Sequence, residues 1–117
     1  MRTSPSSRAR GTEAERRARR FYRLRGYRVL GENVWIGGYE LDVVARRGRT
    51  IVFCEVKAKR GAEAGDPLEM ITREKMRRLR QAAEVWLASS PESEGCEARF
   101  DVAAERQGKL DVVADAF

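Results

Sequence analysis

Apolar side chains recur at spacings of three and four through Ala14, Ala18, Phe21 and Tyr22, with Arg25 on the same face. That is the period of an α-helix. Arg16, Arg19, Arg20 and Arg23 fall largely away from this face, so the helix is amphipathic with an arginine-rich outer side. Thr12-x-x-Glu15 has the form of a capping box and Gly26 is a stop signal, which predicts a helix starting at Thr12. Tyr27–Trp35 then reads as a strand weakened at Gly31, and Gly37-Gly38 as a turn. Tyr39–Ala45 is a second strand, Arg47-Gly48 a tight hairpin connection, and Thr50–Ala58 a third strand rich in Ile51, Val52, Phe53 and Val56. Gly and Pro in residues 59–68 predict a loop. Helical spacing returns from about Thr72 to Ala88, with Thr72 as N-cap and Met76, Leu79, Ala83, Trp86 and Leu87 on the apolar face. After a loop at Ser89–Glu94, two strands close the chain, Glu97–Glu105 and Leu110–Ala114, joined around Gln107-Gly108. No internal repeat is visible. The order α-β-β-β-α-β-β predicts an α/β protein, a mixed β-sheet flanked by helices.

Length and composition narrow the chemistry. The 117 residues suit one domain, with residues 1–10 read as a disordered basic arm and 11–117 as a single unit. Histidine is absent, which removes Ser-His-Asp and Cys-His nucleophile activation, His general bases and His-rich zinc sites. Catalysis here falls to carboxylates, lysine and a metal. Residues 1–30 hold ten Arg and two Glu, a net +8, whereas the rest of the chain is net −2. A basic N-terminal third points to a polyanionic partner, nucleic acid before an anionic membrane surface, with a merely solvated face as the alternative. No stretch approaches the ~18–20 apolar residues of a membrane span. Cys54 and Cys96, with no CxxC, imply neither a disulfide framework nor a zinc cluster and set a reduced cytoplasmic location as the expectation.

The informative constellation is Glu40-Leu41-Asp42 followed by Glu55-Val56-Lys57. Strand residues alternate faces, so Glu40 and Asp42 share one face, as do Glu55 and Lys57. With Arg47-Gly48 as a two-residue loop, Arg46 lies opposite Arg49, Glu40 opposite Glu55, Asp42 opposite Phe53 and Gly38 opposite Lys57. All four charged groups then share one side, while Leu41, Val43 and Ala45 meet Val52, Cys54 and Val56 on the other. Opposed like charges are unfavourable. Three carboxylates around one lysine call for a hard cation, Mg²⁺ or Mn²⁺, to offset them. Such an ion activates water and stabilises charge on a phosphate, with Lys57 orienting the water or neutralising the transition state. The competing reading is a ladder of charges facing solvent on an exposed sheet.

At these residues Asp42…Glu55-Val56-Lys57 resembles the PD-(D/E)xK motif of restriction-endonuclease-like nucleases. The chain is similar to the YraN-like family of small bacterial proteins related to Holliday-junction resolvases. The matching pieces include Ala14-Glu15…Ala18, Gly26-Tyr27, Asn33, Gly38-Tyr39-Glu40-Leu41-Asp42, Val52-Phe53-Cys54-Glu55-Val56-Lys57, Thr72…Lys75…Leu79 and Arg99-Phe100-Asp101-Val102. The resemblance spans roughly residues 11–117, and departs where Tyr39 stands in place of the family's second glycine. It implies the restriction-endonuclease-like fold, a metal site at Asp42, Glu55 and the Val56 carbonyl, and Lys57 beside it. It also offers Glu15 as a further acidic member, against its role as the third residue of the capping box.

Arg16, Arg19, Arg20, Arg23, Arg73, Arg77, Arg78 and Arg80 are candidate phosphate contacts, which supply affinity without sequence information. Lys75 reads either as a phosphate contact or as a solvated side chain. Asn33, Trp35 and Tyr39 read as packing or turn residues, with DNA contact as the alternative, and Arg99 with Asp101 as a structural pair. The function these residues imply is a Mg²⁺- or Mn²⁺-dependent endonuclease acting on branched or structured DNA, a two-fold dimer being its natural corollary. The competing functions are a non-catalytic nucleic-acid-binding module on the same fold and a partner-assembly protein using the arginine-rich helix.

Overall fold

The computed structural model describes residues 5–59 and 67–117, with side chains described except at 5–12, 59, 68 and 70. Helix α1 (Pro5–Leu24) leads into strands β1 (Arg28–Ile36), β2 (Tyr39–Arg47) and β3 (Thr50–Lys59). Helix α2 (Arg73–Ala88) follows, then β4 (Glu97–Arg106) and β5 (Lys109–Val113), with short 3-10 turns at Pro67–Met70 and Pro91–Ser93. The predicted order of elements is the observed one.

The five strands form one sheet in the order β1-β2-β3-β4-β5. The β3–β4 pair is parallel and the other three are antiparallel, so the sheet is mixed. Parallel neighbours need a long crossover, and α2 lies within it. Alternate residues of β3 serve two cores. Val52 and Cys54 pack with Ala18 and Tyr22 of α1, whereas Ile51 and Phe53 pack with Leu79, Ala82 and Ala83 of α2. The helices therefore cover opposite faces of the sheet. Among the described residues no helix is long and apolar enough to cross a membrane.

Thr72 caps α2 as expected, its Oγ1 accepting the Lys75 N–H at 3.1 Å. The start of α1 is different: the helix begins at Pro5, which places Thr12 and Glu15 inside it rather than at a cap. Proline fixes φ near the helical value and suits a first turn. The single Gly11 costs only ~1 kcal/mol inside a helix, too little to stop propagation. The expected disordered arm lies outside the described residues at 1–4, while 5–10 are the first turns of α1. Of the expected loop over 59–68, residues 60–66 lie outside the described residues.

The β2–β3 hairpin also differs from expectation. Arg47 pairs with Thr50, so the two-residue loop is Gly48-Arg49, one position later than predicted. Gly48 takes φ +62°. A two-residue turn with Gly in its first central position needs positive φ only there, which Gly48 supplies. The slip is by one residue on each strand, so the faces keep their parity while the partners change.

A second correction concerns Leu41. Val43 and Ala45 join the α1-side core as predicted, but Leu41 and Val44 join the α2-side core. Alternation therefore breaks at Asp42. Opposite it in β1, Asn33 adopts φ +52° and the ladder omits the pair it would make with Asp42. Asn tolerates this conformation better than other non-glycine residues. The paired irregularities re-aim the chain where the charged residues gather.

Candidate active site

The β2–β3 ladder ends at Val43–Cys54. Continued one step, it would set Asp42 beside Glu55, not beside Phe53 as expected. The strands instead part at this point, and Asp42 fills the gap with its side chain: Oδ2 accepts the Val56 N–H at 2.9 Å. A carboxylate has replaced a backbone carbonyl as the acceptor. That substitution brings two acidic groups to the same place, both buried, with Asp42 9% and Glu55 5% exposed.

Their electrostatics follow from that burial. Desolvation, and then the Glu55 charge, push the Asp42 carboxyl well above the usual carboxylate range; Glu15 and Glu40 add to the push and the Val56 bond opposes it. Burial likewise raises Glu55, with Lys57 the main opposing influence. Lys57 Nζ lies 3.4 Å from Glu55 Oε2, and the Tyr39 hydroxyl donates to the same oxygen at 3.4 Å. The other oxygen, Glu55 Oε1, is buried without any hydrogen-bond partner. A buried acceptor in that state is costly unless something else binds it.

Glu15, on α1, is near enough for its charge to act on Asp42. With the Asn33 amide turned so that its nitrogen rather than its oxygen faces Glu15, the orientation that the carboxylate favours, it donates to both Glu15 oxygens at 3.2 and 3.1 Å. Glu40, the ladder partner of Trp35, lines the cleft near Asp42. Among the described residues no three His, Cys, Asp or Glu side chains come together at metal-ligand spacing, so the expected convergence of three carboxylates reduces to the Asp42–Glu55 pair. Mg²⁺ is commonly held by one or two carboxylates plus waters. The pair, with its orphaned Oε1 and the adjacent Val56 carbonyl, suits such an ion.

The cleft over these groups is lined by Trp35, Gly38, Tyr39, Glu40, Asp42, Glu55, Lys75 and Arg78. Lys75 reaches it from the first turn of α2 and comes beside Lys57, whose close approach and like charge hold the Lys75 ammonium below the usual lysine value. Of the candidate phosphate contacts, then, Lys75 and Arg78 face the site. Arg77 and Arg78 both bond Glu74, at 2.7 and 3.1 Å, and Arg73 is exposed on the same helix. Arg80 lies over the Phe100 and Phe117 rings.

The α1 arginines form a separate surface. Arg16 pairs with Glu13, Arg19 pairs with Glu32 at 3.1 Å, and Arg20 and Arg23 are exposed. Arg47 donates to the Arg25 carbonyl at 2.8 Å, so the end of α1 that carries Arg23 lies by the β2–β3 hairpin, away from the cleft. The candidate phosphate contacts thus divide between the two helix layers on opposite faces of the sheet.

Sequence reasoning passed over two contacts. Tyr39, on sequence grounds a packing or turn residue with DNA contact as the alternative, reaches Glu55 with its hydroxyl; its place beside Glu40 and Asp42 is the available signal. The grip of Asn33 on Glu15 joins a strand irregularity to a helix, and no local pattern carries it. The Arg99–Asp101 pair is present, at 2.9 Å, within a larger network described below.

Fold and site together define a small α/β protein with a mixed sheet and a carboxylate–lysine cleft where β2 and β3 part. The profile of the uncharacterised protein family UPF0102 matches residues 14–104, and the chain belongs to that family. It is 40% identical over 111 residues to a UPF0102 protein of Magnetococcus marinus, covering 92% of this chain and 90% of that one. A UPF0102 protein of Pectobacterium carotovorum is 38% identical over 113 residues, 96% of each chain. The UPF0102 protein YraN of Escherichia coli strain SMS-3-5 is 38% identical over 108 residues, 92% of this chain and 82% of its own.

Proposed function

We propose that this protein is a metal-dependent endonuclease that hydrolyses phosphodiester bonds in branched or otherwise structured DNA. The observation that carries the reading is the buried Asp42–Glu55 pair beside Lys57, with one Glu55 oxygen lacking any partner. Two like charges out of water are strongly unfavourable without a compensating cation. Mg²⁺ or Mn²⁺ held by Asp42, Glu55 and the Val56 carbonyl supplies Lewis acidity, lowering the pKa of water and stabilising charge on a phosphate.

The protein's own groups do the rest. The Val56 N–H fixes the Asp42 carboxylate in one orientation. Lys57 and Tyr39 both hold Glu55 Oε2, which leaves Oε1 as the oxygen facing a ligand. Lys57, partly exposed beside Glu55, orients a water or neutralises charge growing on the scissile phosphate. Lys75 and Arg78 take flanking phosphates, contacts that position the backbone without reading bases. Glu15, held by Asn33, adds negative charge near Asp42 and strengthens the demand for a cation. A two-fold dimer would present two such clefts to a branched substrate, and the free Cys54 and Cys96 suit a reduced cytoplasmic setting.

The test is incubation with labelled linear, flap and four-way DNA in Mg²⁺ or Mn²⁺. Cleavage that disappears in Asp42→Ala and Glu55→Ala supports the site. Cleavage that persists in both variants overturns it, and salt-dependent binding without cleavage by the wild type identifies a non-catalytic nucleic-acid-binding protein instead.

A further inference from the structure

Trp35 stands out among the large apolar side chains because it is 73% exposed and lines the cleft that holds Asp42 and Glu55. Core tryptophans do not look like this: Trp86 lies partly buried against Phe53, with ring centroids 5.7 Å apart. The two sides of the cleft also differ in chemistry. Lys75 and Arg78 stand on the α2 side, while Trp35 and its ladder partner Glu40 stand on the β1–β2 side. Phosphate is drawn to the first side and repelled by the carboxylate on the second. An indole next to a carboxylate accepts a flat, uncharged ring, and the carboxylate accepts hydrogen bonds from an exocyclic amine.

We propose that Trp35 is a stacking platform for an unpaired nucleobase next to the bound phosphate, so that the substrate is nucleic acid with single-stranded or unstacked character at the site. The inference deepens the nuclease reading by naming its substrate class, and it rests on that reading for the position of the phosphate. Bases in an intact duplex are stacked on one another and leave no face for an indole. A single strand, a flap or the splayed arm of a junction does. Stacking of this kind tolerates any base, which fits a cleft whose cations contact only backbone.

The experiment measures binding with metal chelated, so that cleavage plays no part. Labelled single-stranded oligocytidylate, whose bases carry an exocyclic amine, and a blunt duplex of equal length are titrated by anisotropy while tryptophan emission is followed. The wild type is expected to bind the single strand more tightly and to show quenching. Trp35→Ala should weaken single-strand binding about ten-fold and leave duplex binding within about two-fold, consistent with the stacking energy of one base. Trp35→Phe, which keeps an aromatic face, should retain most of the preference.

Equal effects of Trp35→Ala on both DNAs, or unquenched emission, overturn the inference. So does a finding that Trp35→Ala only converts a nucleic-acid-free dimer to monomer, since the indole would then cover a second copy. Quenching and single-strand preference in a wild type that never cleaves would sink the nuclease reading and leave this one standing. Cleavage indifferent to Trp35 does the reverse.

Discussion

The Asp42 carboxylate accepts the backbone N–H of Val56 at 2.9 Å, a bond made where strand pairing between β2 and β3 has stopped. One side chain thereby closes the sheet and places a second acidic group beside Glu55. The bond constrains the site in a way a free aspartate could not, because it ties the acid to the backbone between Glu55 and Lys57.

With metal chelated, stability should fall as pH rises. Asp42 and Glu55 have folded pKa values raised above their unfolded values near ~4. The folded state therefore holds more protons than the unfolded state between those values. Its added stability is complete below the unfolded pKa and is lost as pH rises through the folded one. Asp42→Asn removes one of the two charges and should flatten the curve. Millimolar Mg²⁺ should raise the melting temperature at neutral pH in the wild type and much less in Asp42→Asn. Thermal melts across pH, with and without metal, check each statement.

Lys57→Ala should separate metal binding from hydrolysis. Its ammonium pairs with Glu55 Oε2 and lies beside Lys75, so its removal leaves Oε1 and Asp42 in place. Metal-dependent thermal stabilisation should persist, while cleavage drops by ~10²-fold or more, the usual loss on removing one transition-state contact. Loss of the metal response in this variant would assign Lys57 a role in building the site instead.

Lys75→Ala and Arg78→Ala should each lower the slope of log affinity against log salt for duplex DNA by about 0.9, the loss of one phosphate contact. Arg23→Ala should leave the slope unchanged, because the end of α1 that carries it lies by the β2–β3 hairpin. Salt titrations of the three variants decide between a cleft-centred interface and one spread over α1.

Asp101→Ala should destabilise the fold strongly. The fully buried Asp101 carboxylate receives the Tyr22 hydroxyl at 2.6 Å, Arg99 Nε at 3.0 Å and the Asp115 N–H at 2.9 Å. Its removal leaves those donors without a partner, at a cost of about 3 kcal/mol or more. Tyr22→Phe removes one donor and keeps the carboxylate satisfied by the others, and should cost about 1.5–3 kcal/mol. Urea denaturation measures both.

Gly37→Ala should loosen the packing of α2 over the site. At Gly37, φ is +61°, and an added Cβ would lie 3.0 Å from the Ala82 Cα and 3.2 Å from Val85 Cγ2. Strain and contact act together, so a loss of at least about 1 kcal/mol is expected. Because Lys75 and Arg78 ride on α2, DNA affinity should fall with stability in this variant, measured by anisotropy and melting.

The sequence by itself determined the order of the elements, the N-cap of α2, the two helix faces and the side of β3 shared by Glu55 and Lys57. Each of these is a local property: the period of a helix or strand and the chemistry of a cap depend on residues a few positions apart. Only the tertiary structure decided that Asp42, not Glu40, lies level with Glu55. That outcome depends on whether Gly48 opens or closes a two-residue turn and on a break in alternation shared between Asn33 and Asp42. Both involve pairing between strands, and a shift of one residue along each strand changes every partner while keeping every face. The Asn33–Glu15 and Tyr39–Glu55 contacts were decided in the same way. They join groups distant in the chain, and their energy exists only once the sheet and helices have packed.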